Sequence, residues 1–93
     1  MSHEVVDDPD QSRYEIRVDG TLAGFAEYRL SRTKIAFTHT EVYPAYEGRG
    51  VAAALVRHTL DAARAAGLRV VPVCPYVKSY IDRHPEYADL VLR

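Results

Sequence analysis

The stretch with the clearest chemical potential runs from Tyr43 to Ala52 and joins a strand-like segment to a long helical one. It contains two glycines within three residues, Gly48 and Gly50, directly before the helical segment. Small residues let the backbone approach a ligand closely, and the first amide N–H groups of a helix have no partner inside that helix. Because these donors and the positive end of the helix dipole favour an anion, the stretch predicts a seat for a phosphate or a diphosphate.

Two common phosphate motifs do not fit this stretch. The dinucleotide fingerprint needs a further glycine where Ala53 stands, and a P-loop needs Gly-Lys-Ser or Gly-Lys-Thr, which the chain lacks. The wider pattern that leads from strand into helix is Val42-x-Pro44-x-Tyr46-x-Gly48-x-Gly50-Val51-Ala52. This pattern resembles the acyl-CoA motif of the GCN5-related N-acetyltransferases.

The resemblance implies that acetyl-CoA is the cosubstrate. In that family the amides of the loop and of the helix start hold the CoA pyrophosphate, while the preceding strand pairs with pantetheine. The CoA-binding positions that follow from the match are Val42, Gly48, Arg49, Gly50, Val51 and Ala52. Arg49 adds charge for a phosphate. Glu47 departs from the motif, which usually has Gln or Arg at this position.

The resemblance continues downstream and covers roughly residues 14 to 90. Tyr80 falls about where many family members carry a tyrosine that protonates the departing CoA thiolate. The segments around Cys74, Tyr80 and His84 resemble a small single-domain YjdJ-type subgroup, in which a cysteine at the position of Cys74 is a candidate catalytic group. That subgroup lacks the flanking elements that usually build an acceptor pocket.

Acetyl transfer from a thioester to an amine needs a neutral amine, a donor for the carbonyl oxygen and an acid for the leaving thiolate. Strict alternation along the strand before the loop places His39 and Glu41 on one face, together with Ile35 and Phe37. Either His39 or Glu41 is a candidate acceptor of the amine proton. The end of the strand, near Glu41 and Val42, offers a backbone N–H to the carbonyl oxygen.

Each candidate also has a structural interpretation. Cys74 follows an apolar strand, and small buried cysteines are commonly inert, although a reactive thiol here would take the acetyl group first as a nucleophile. Tyr76 and Tyr80 lie on a predicted amphipathic turn, where aromatic residues are more often core. His39 is as typical of a hydrogen-bonded strand residue as of a base. The histidines have no metal-ligand spacing, so no metal is expected.

The elements that position these residues follow from periodicity and turn signals. We expect a single domain spanning 1–93, with residues 1–12 as a flexible leader. Within it, residues 7–12 form a leader or loop after at most a short strand around Val5 and Val6. Asp19-Gly20 predicts a tight hairpin, since both central positions of its turn need positive φ. The predicted elements are strands over 13–18, 21–30, 34–42 and 70–73, a helix over 50–66, and short helices over 76–83 and 86–92.

The strand–helix–strand order around the long helix predicts a parallel crossover. The fold class is therefore α+β, with a GNAT-like mixed sheet: an N-terminal antiparallel meander, a β-α-β crossover and C-terminal short helices. The ligand seat lies where a strand ends and the long helix begins, as is usual in open sheets.

Composition limits the function. The chain has 93 residues, a formal net charge of −1 and interspersed acids and bases, which argues against a general nucleic-acid or membrane-surface binder. One Cys allows no internal disulfide and favours a reducing compartment. No run approaches a membrane span and the N-terminus lacks a signal-peptide pattern, so we expect a cytoplasmic protein.

Three functions remain open from the sequence. The first is an N-acetyltransferase that moves acetyl from acetyl-CoA to an unidentified amine. The second is a non-catalytic acyl-CoA-binding module, and the third is a Cys-dependent acyl-CoA thioesterase that pairs Cys74 with a histidine. We expect a monomer or a weak homodimer, with no nucleic-acid partner.

Overall fold

A computed structural model describes residues 2–92, and these form a sheet of five strands with two α-helices. The strands are β1 (His3–Asp8), β2 (Arg13–Val18), β3 (Thr21–Leu30), β4 (Lys34–Val42) and β5 (Arg69–Pro72). The helices are α1 (Val51–Ala65) and α2 (Pro75–Arg83). Short 3₁₀ segments occupy Pro9–Gln11, Pro44–Tyr46 and Pro85–Leu90.

The sheet confirms the predicted α+β class and its mixed strand directions. Its strand order is β1-β2-β3-β4-β5, with antiparallel pairing from β1 to β4 and parallel pairing of β4 with β5. The β2–β3 hairpin turns at Asp19 and Gly20, whose φ angles are 50° and 86°, as the turn signal predicted. The β4–α1–β5 unit is the expected parallel crossover.

The strand predicted around Val5 and Val6 is present, but it is longer than expected and leaves no leader over the described part of residues 1–12. All six residues of β1 pair with β2, from His3 opposite Val18 to Asp8 opposite Arg13. The Tyr28 hydroxyl also donates to Asp7 Oδ1 at 2.7 Å. β1 lies at the edge of the sheet, where backbone pairing with β2 and the packing of Val5 against the core hold a mostly polar strand.

Both helices pack on the same face of the sheet. α1 contacts all five strands, whereas α2 lies against β4, β5 and α1. Within residues 2–92 no helix covers the opposite face, which we call the open face. The largest fully buried side chains are Phe37, Ile16, Leu55, Leu60, Val51, Val56, Val70, Val77 and Thr59. The apolar stripe of α1 therefore faces the sheet, as its spacing indicated.

A β-bulge on β4 changes which side chains share a face. The register against β3 shifts at Thr38, which has no opposite residue. Ile35 and Phe37 are buried beneath the helices, while the side chains of His39 and Glu41 are 54% and 49% exposed. The prediction that these four residues share a face is wrong, because one extra residue reverses the alternation of the strand. His39 and Glu41 lie on the open face.

The C-terminal segment departs from the predicted helix over 86–92. Pro85–Leu90 forms a 3₁₀ segment, and Val91 then makes a parallel bridge to Val70 of β5. The Leu92 N–H donates to Val70 O at 2.9 Å, so the chain returns to the sheet edge. No helix among the described residues has the length and apolar character that crossing a bilayer requires.

Candidate functional site

The loop before α1 is shaped by its two glycines. Gly48 has a φ of 75° and Gly50, the N-cap residue, has a φ of 73°, both in the left-handed region that favours glycine. A Cβ atom built on either would meet no heavy atom within 4 Å. Gly50 offers the helix no side-chain cap, so the first-turn amides are not covered by a capping group. The loop is exposed and leaves open space beside the helix start.

Next to this loop, β4 and β5 separate. Their pairing ends with Phe37 opposite Pro72, and the Cys74 N–H then donates to Phe37 O at 2.8 Å. Beyond this point no described strand pairs with that edge of β4. Because the Tyr43 N–H donates to Ala23 O on β3, strand alternation turns the Val42 N–H toward the unpaired edge. The split between β4 and β5 therefore has a backbone donor on one wall.

Cys74 lies at the closed end of this split. Its side chain is 5% exposed and occupies the N-cap position of α2. The thiol donates to Thr40 Oγ1, with the sulfur and oxygen 3.6 Å apart. Among residues 2–92 no histidine is hydrogen-bonded to this thiol, so the geometry does not provide the Cys–His pair that a thioesterase of the predicted type requires.

Tyr80 is held inside the helical layer. It is 5% exposed, and its ring stacks on His84 with centroids 3.9 Å apart and planes 14° apart. His84 Nδ1 lies 2.8 Å from Tyr80 O, a geometry in which the ring N–H donates to the carbonyl. Burial raises the pKa of Tyr80, so its hydroxyl remains protonated at neutral pH. The Tyr80 ring is thus fixed in position and carries a protonated hydroxyl.

His39 and Glu41 meet on the open face. His39 Nε2 lies 3.3 Å from Glu41 Oε1, and the ring centroids of Phe25 and His39 are 6.1 Å apart. The rings of Phe25 and Tyr43 are 6.3 Å apart, which extends this aromatic surface toward the loop. The pair is therefore accessible from the side of the sheet that the helices leave uncovered.

The structure groups the predicted residues into separate places. The loop and split adjoin each other at the end of β4, and Cys74 closes the split. Tyr80 follows Cys74 by six residues, a rise of about 9 Å along a helix. His39 and Glu41 lie across the sheet from the helices. The described residues contain no cluster of side chains suited to a metal ion.

Sequence reasoning missed a cavity between the two helices, which we call the α1–α2 cavity. It has a volume of about 680 Å³ and is lined by Ala53, Ala54, Arg57, Tyr76, Tyr80, Arg83 and His84. The only sequence signal was helical spacing: Ala53, Ala54 and Arg57 share one side of α1, and the α2 residues recur at matching intervals. Which helices meet there is a tertiary fact that spacing alone does not contain.

The comparison with protein families identifies the class of this chain. The family described as GCN5-related N-acetyl-transferase matches residues 13–90. The chain therefore belongs to the GCN5-related N-acetyltransferase family, as the loop motif indicated. Members transfer acyl groups from acetyl-CoA, so membership supports this general activity. No curated protein matches the chain.

Solved structures support the fold. A GCN5-like putative N-acetyltransferase from Staphylococcus aureus has a TM-score of 0.73 at 22% identity, with 96% of this chain and 87% of that chain covered. Ard1 from Thermoplasma volcanium has a TM-score of 0.59 at 21% identity, with 80% of this chain and 55% of that chain covered. A ribosomal-protein-alanine N-acetyltransferase from Brucella melitensis biovar Abortus 2308 has a TM-score of 0.58 at 23% identity, with 87% of this chain and 61% of that chain covered. The chain thus spans little more than half the length of the latter two.

Proposed function

We propose that this protein transfers acetyl from acetyl-CoA to a primary amine that approaches from the open face. The observation that carries the proposal is the glycine-flanked start of α1 beside the split between β4 and β5. Together they offer a site for a diphosphate and an adjoining channel for an extended thioester arm. Family membership supplies the general reaction.

In this proposal the backbone binds the coenzyme. The amides of Arg49, Gly50, Val51 and Ala52 donate to the diphosphate, and Gly48 permits the turn that exposes them. The pantetheine arm extends along the unpaired edge of β4. The Val42 N–H donates to the thioester carbonyl oxygen as negative charge develops there, which stabilises the tetrahedral intermediate.

The open-face pair prepares the amine. Glu41 accepts a proton from the incoming ammonium, directly or through water, while His39 holds the carboxylate in place; the reverse assignment is the alternative. The neutral nitrogen then attacks the thioester carbonyl carbon. A C–N bond forms, the C–S bond breaks, and the second amine proton leaves to the same pair or to water.

The departing thiolate takes its proton from Tyr80, whose hydroxyl is protonated at neutral pH.

Cys74 is a candidate for a different role, that of a nucleophile, because it closes the split. As a nucleophile its thiolate would attack the thioester, release CoA thiol and form an acetyl-cysteine that the amine then attacks. The direct route predicts no acetylated protein without amine, and the covalent route predicts a mass increase of one acetyl group.

The decisive experiment follows CoA thiol release from acetyl-CoA with and without a panel of primary amines. The proposal predicts release that depends on the amine, and a loss of about ten-fold or more in kcat/KM for Glu41→Gln with unchanged CoA affinity. The His39→Gln variant, measured in the same assay, shows whether His39 or Glu41 accepts the amine proton. Release that is equally fast without amine would instead support hydrolysis.

A non-catalytic acyl-CoA module is the second candidate. The observation that favours it is the open face, where no described helix encloses an acceptor. This alternative predicts that CoA raises the melting temperature by mass action while no amine in the panel is acetylated. Cytoplasmic location and a monomeric or weakly dimeric state remain predictions.

A further inference from the structure

The turn between β3 and β4 and the strand ends beside it carry cations that the proposed chemistry does not use. Arg29, Arg32 and Lys34 are all exposed, and we call these three residues the basic end. Within residues 2–92 none of them forms a salt bridge. The basic end therefore presents positive charge that no described carboxylate neutralises by direct contact.

Strand pairing places the basic end beside the open face. Ile35 is buried beneath the helices, so strand alternation turns Lys34 toward the open face. Arg29 lies opposite Ala36 on the same face. Arg69 is opposite Lys34 on β5 and adds a further exposed cation. This end of the open face is thus positive across three neighbouring strands.

The other end of the open face is acidic. Glu41 lies beside His39 near the end of β4, and Glu27 is opposite His39 on β3. Glu27 forms no salt bridge with another described residue. On β4 the small side chain of Ala36 lies between the two ends. The face therefore changes from negative at the reactive pair to positive at the basic end.

The separation of the two ends suits an extended chain. Ala36, which is opposite Arg29, precedes Glu41 by five residues, and Lys34 precedes Glu41 by seven. At the rise of a strand these intervals correspond to about 16 and 23 Å. An extended peptide has nearly the same rise, so a residue over the basic end would lie about five to seven positions from one over Glu41.

We infer that the acceptor is a lysine side chain of a polypeptide that lies along the open face and places acidic residues on the basic end. The inference rests on the proposed function and names its acceptor class. Glu41 and Glu27 attract the lysine ammonium, whose nitrogen attacks the thioester once it has lost a proton. Carboxylates about five to seven positions away in the acceptor pair with the basic end, which fixes the register of the chain.

A continuous polyanion fits this face less well than an acidic peptide with a lysine. A nucleic acid or an anionic bilayer is negative over its whole length, so it would bring phosphates against Glu27 and Glu41. The peptide covers only one narrow lane of the sheet. Binding should therefore be weak and sensitive to salt.

The experiment measures kcat/KM for blocked peptides in which one lysine is the only primary amine. The first peptide has three glutamates five to seven positions after the lysine, the second has them five to seven positions before it, and the third has glutamines at all these positions. At low ionic strength one of the glutamate peptides should exceed the glutamine peptide by about ten-fold, as expected for three exposed ion pairs. High salt should remove most of this preference.

Variants of the basic end locate the effect. Arg29→Gln and Lys34→Gln should each lower kcat/KM for the preferred glutamate peptide several-fold and leave the glutamine peptide unchanged. The matched control is Lys78→Gln, which removes an exposed cation from α2 on the covered side of the sheet. It should leave both values unchanged. Melting temperatures confirm that each variant is folded.

The outcomes separate this inference from the function on which it rests. Equal kcat/KM for the glutamate and glutamine peptides would overturn the inference, and the proposed function would stand if n-butylamine still accelerates CoA thiol release. Equal losses in Lys78→Gln and Lys34→Gln would also overturn it, since net charge and not the basic end would then be responsible. If no primary amine, peptides included, accelerates release, the proposed function itself fails.

Other occupants of the basic end are tested with the same variants. Wild-type binding to a single-stranded oligonucleotide or to phosphatidylserine vesicles, weakened by Lys34→Gln without any change toward the peptides, would overturn the inference. A dimer that sedimentation detects in the wild type and not in Lys34→Gln would overturn it as well, because a second copy would then occupy the basic end.

Discussion

The start of α1 and the buried side of α2 carry their chemistry in opposite ways. At the start of α1 the useful groups are backbone amides, the loop residues 47–50 are exposed, and Gly48 and Gly50 are needed for their φ angles. On α2 the useful groups are the side chains of Cys74 and Tyr80, each 5% exposed and fixed by packing. The contrast suggests that affinity for the coenzyme and rate of transfer can be altered separately.

The largest expected effect comes from Gly50→Asp. It places a carboxylate at the proposed diphosphate seat and imposes a positive φ on a side-chain residue, so we expect at least about a hundred-fold loss of CoA affinity. Calorimetry measures the loss. Gly67→Asp is a matched control, because Gly67 has a φ of 71° and also borders open space. Gly67→Asp should lower the unfolding free energy by a similar amount and leave CoA affinity unchanged. If both variants lose CoA affinity to the same extent, the diphosphate does not bind at the start of α1.

Tyr80→Phe tests the other region. It keeps the ring that stacks on His84 and removes only the hydroxyl, so kcat should fall by about a hundred-fold while the Kd for CoA changes little. Steady-state kinetics and calorimetry on the same preparation provide the two values. Tyr76→Phe, on the same helix, is the control and should retain kcat. An unchanged kcat in Tyr80→Phe would remove Tyr80 as the acid.

Cys74→Ala sharpens the choice between packing and covalent catalysis. If transfer is direct, the variant should lose about 1 kcal/mol of unfolding free energy, because Thr40 loses its partner, and should keep most of its turnover. Urea unfolding and thiol release measure these two quantities. Cys74→Ser preserves a hydroxyl donor to Thr40 and serves as the matched variant. A loss of turnover in both variants, with acetyl-cysteine in the wild type, would establish the covalent route.

The smallest effect concerns alkaline pH and Tyr87. Burial and the hydrogen bond to Asp61 raise the pKa of Tyr87 to about 12. The folded protein therefore holds this proton more tightly than the unfolded chain, in which tyrosine titrates near pH 10. The stability that this shift provides is complete below about pH 10 and disappears as pH rises through about 12.

Tyr87→Phe should accordingly be less stable than the wild type at neutral pH, and this difference should shrink as pH rises from about 10 to about 12. Urea titrations across this range test the convergence. Tyr43→Phe removes a hydroxyl from the open face and is the control. A stability difference that stays constant with pH would show that Asp61 does not bind the hydroxyl in solution.

The sequence was most informative where a backbone conformation requires a particular residue. Gly48, Gly50 and the Asp19-Gly20 turn were readable because positive φ restricts residue choice. The parallel crossover followed from element order. These features depend on a few neighbouring residues, so no tertiary information was needed.

The remaining features depend on contacts between distant segments. The bulge at Thr38 carries no residue signal, yet it moves His39 and Glu41 to the face opposite Phe37. The polar residues of β1 form a strand because β2 supplies the hydrogen bonds and Tyr28 binds Asp7. The α1–α2 cavity exists only once both helices are docked. Periodicity describes one element at a time and therefore misses such features.

The return of Val91 and Leu92 to β5 makes the two lateral boundaries of the sheet unequal. On the β1 side, the edge strand carries His3, Glu4, Asp7 and Asp8. Continuous ribbons of copies, in which each sheet extends the next, need a free boundary on both sides of every molecule. Part of the β5 edge is already hydrogen-bonded to Val91 and Leu92. Two copies that pair through their β1 strands would therefore form a dimer that does not extend into a fibre.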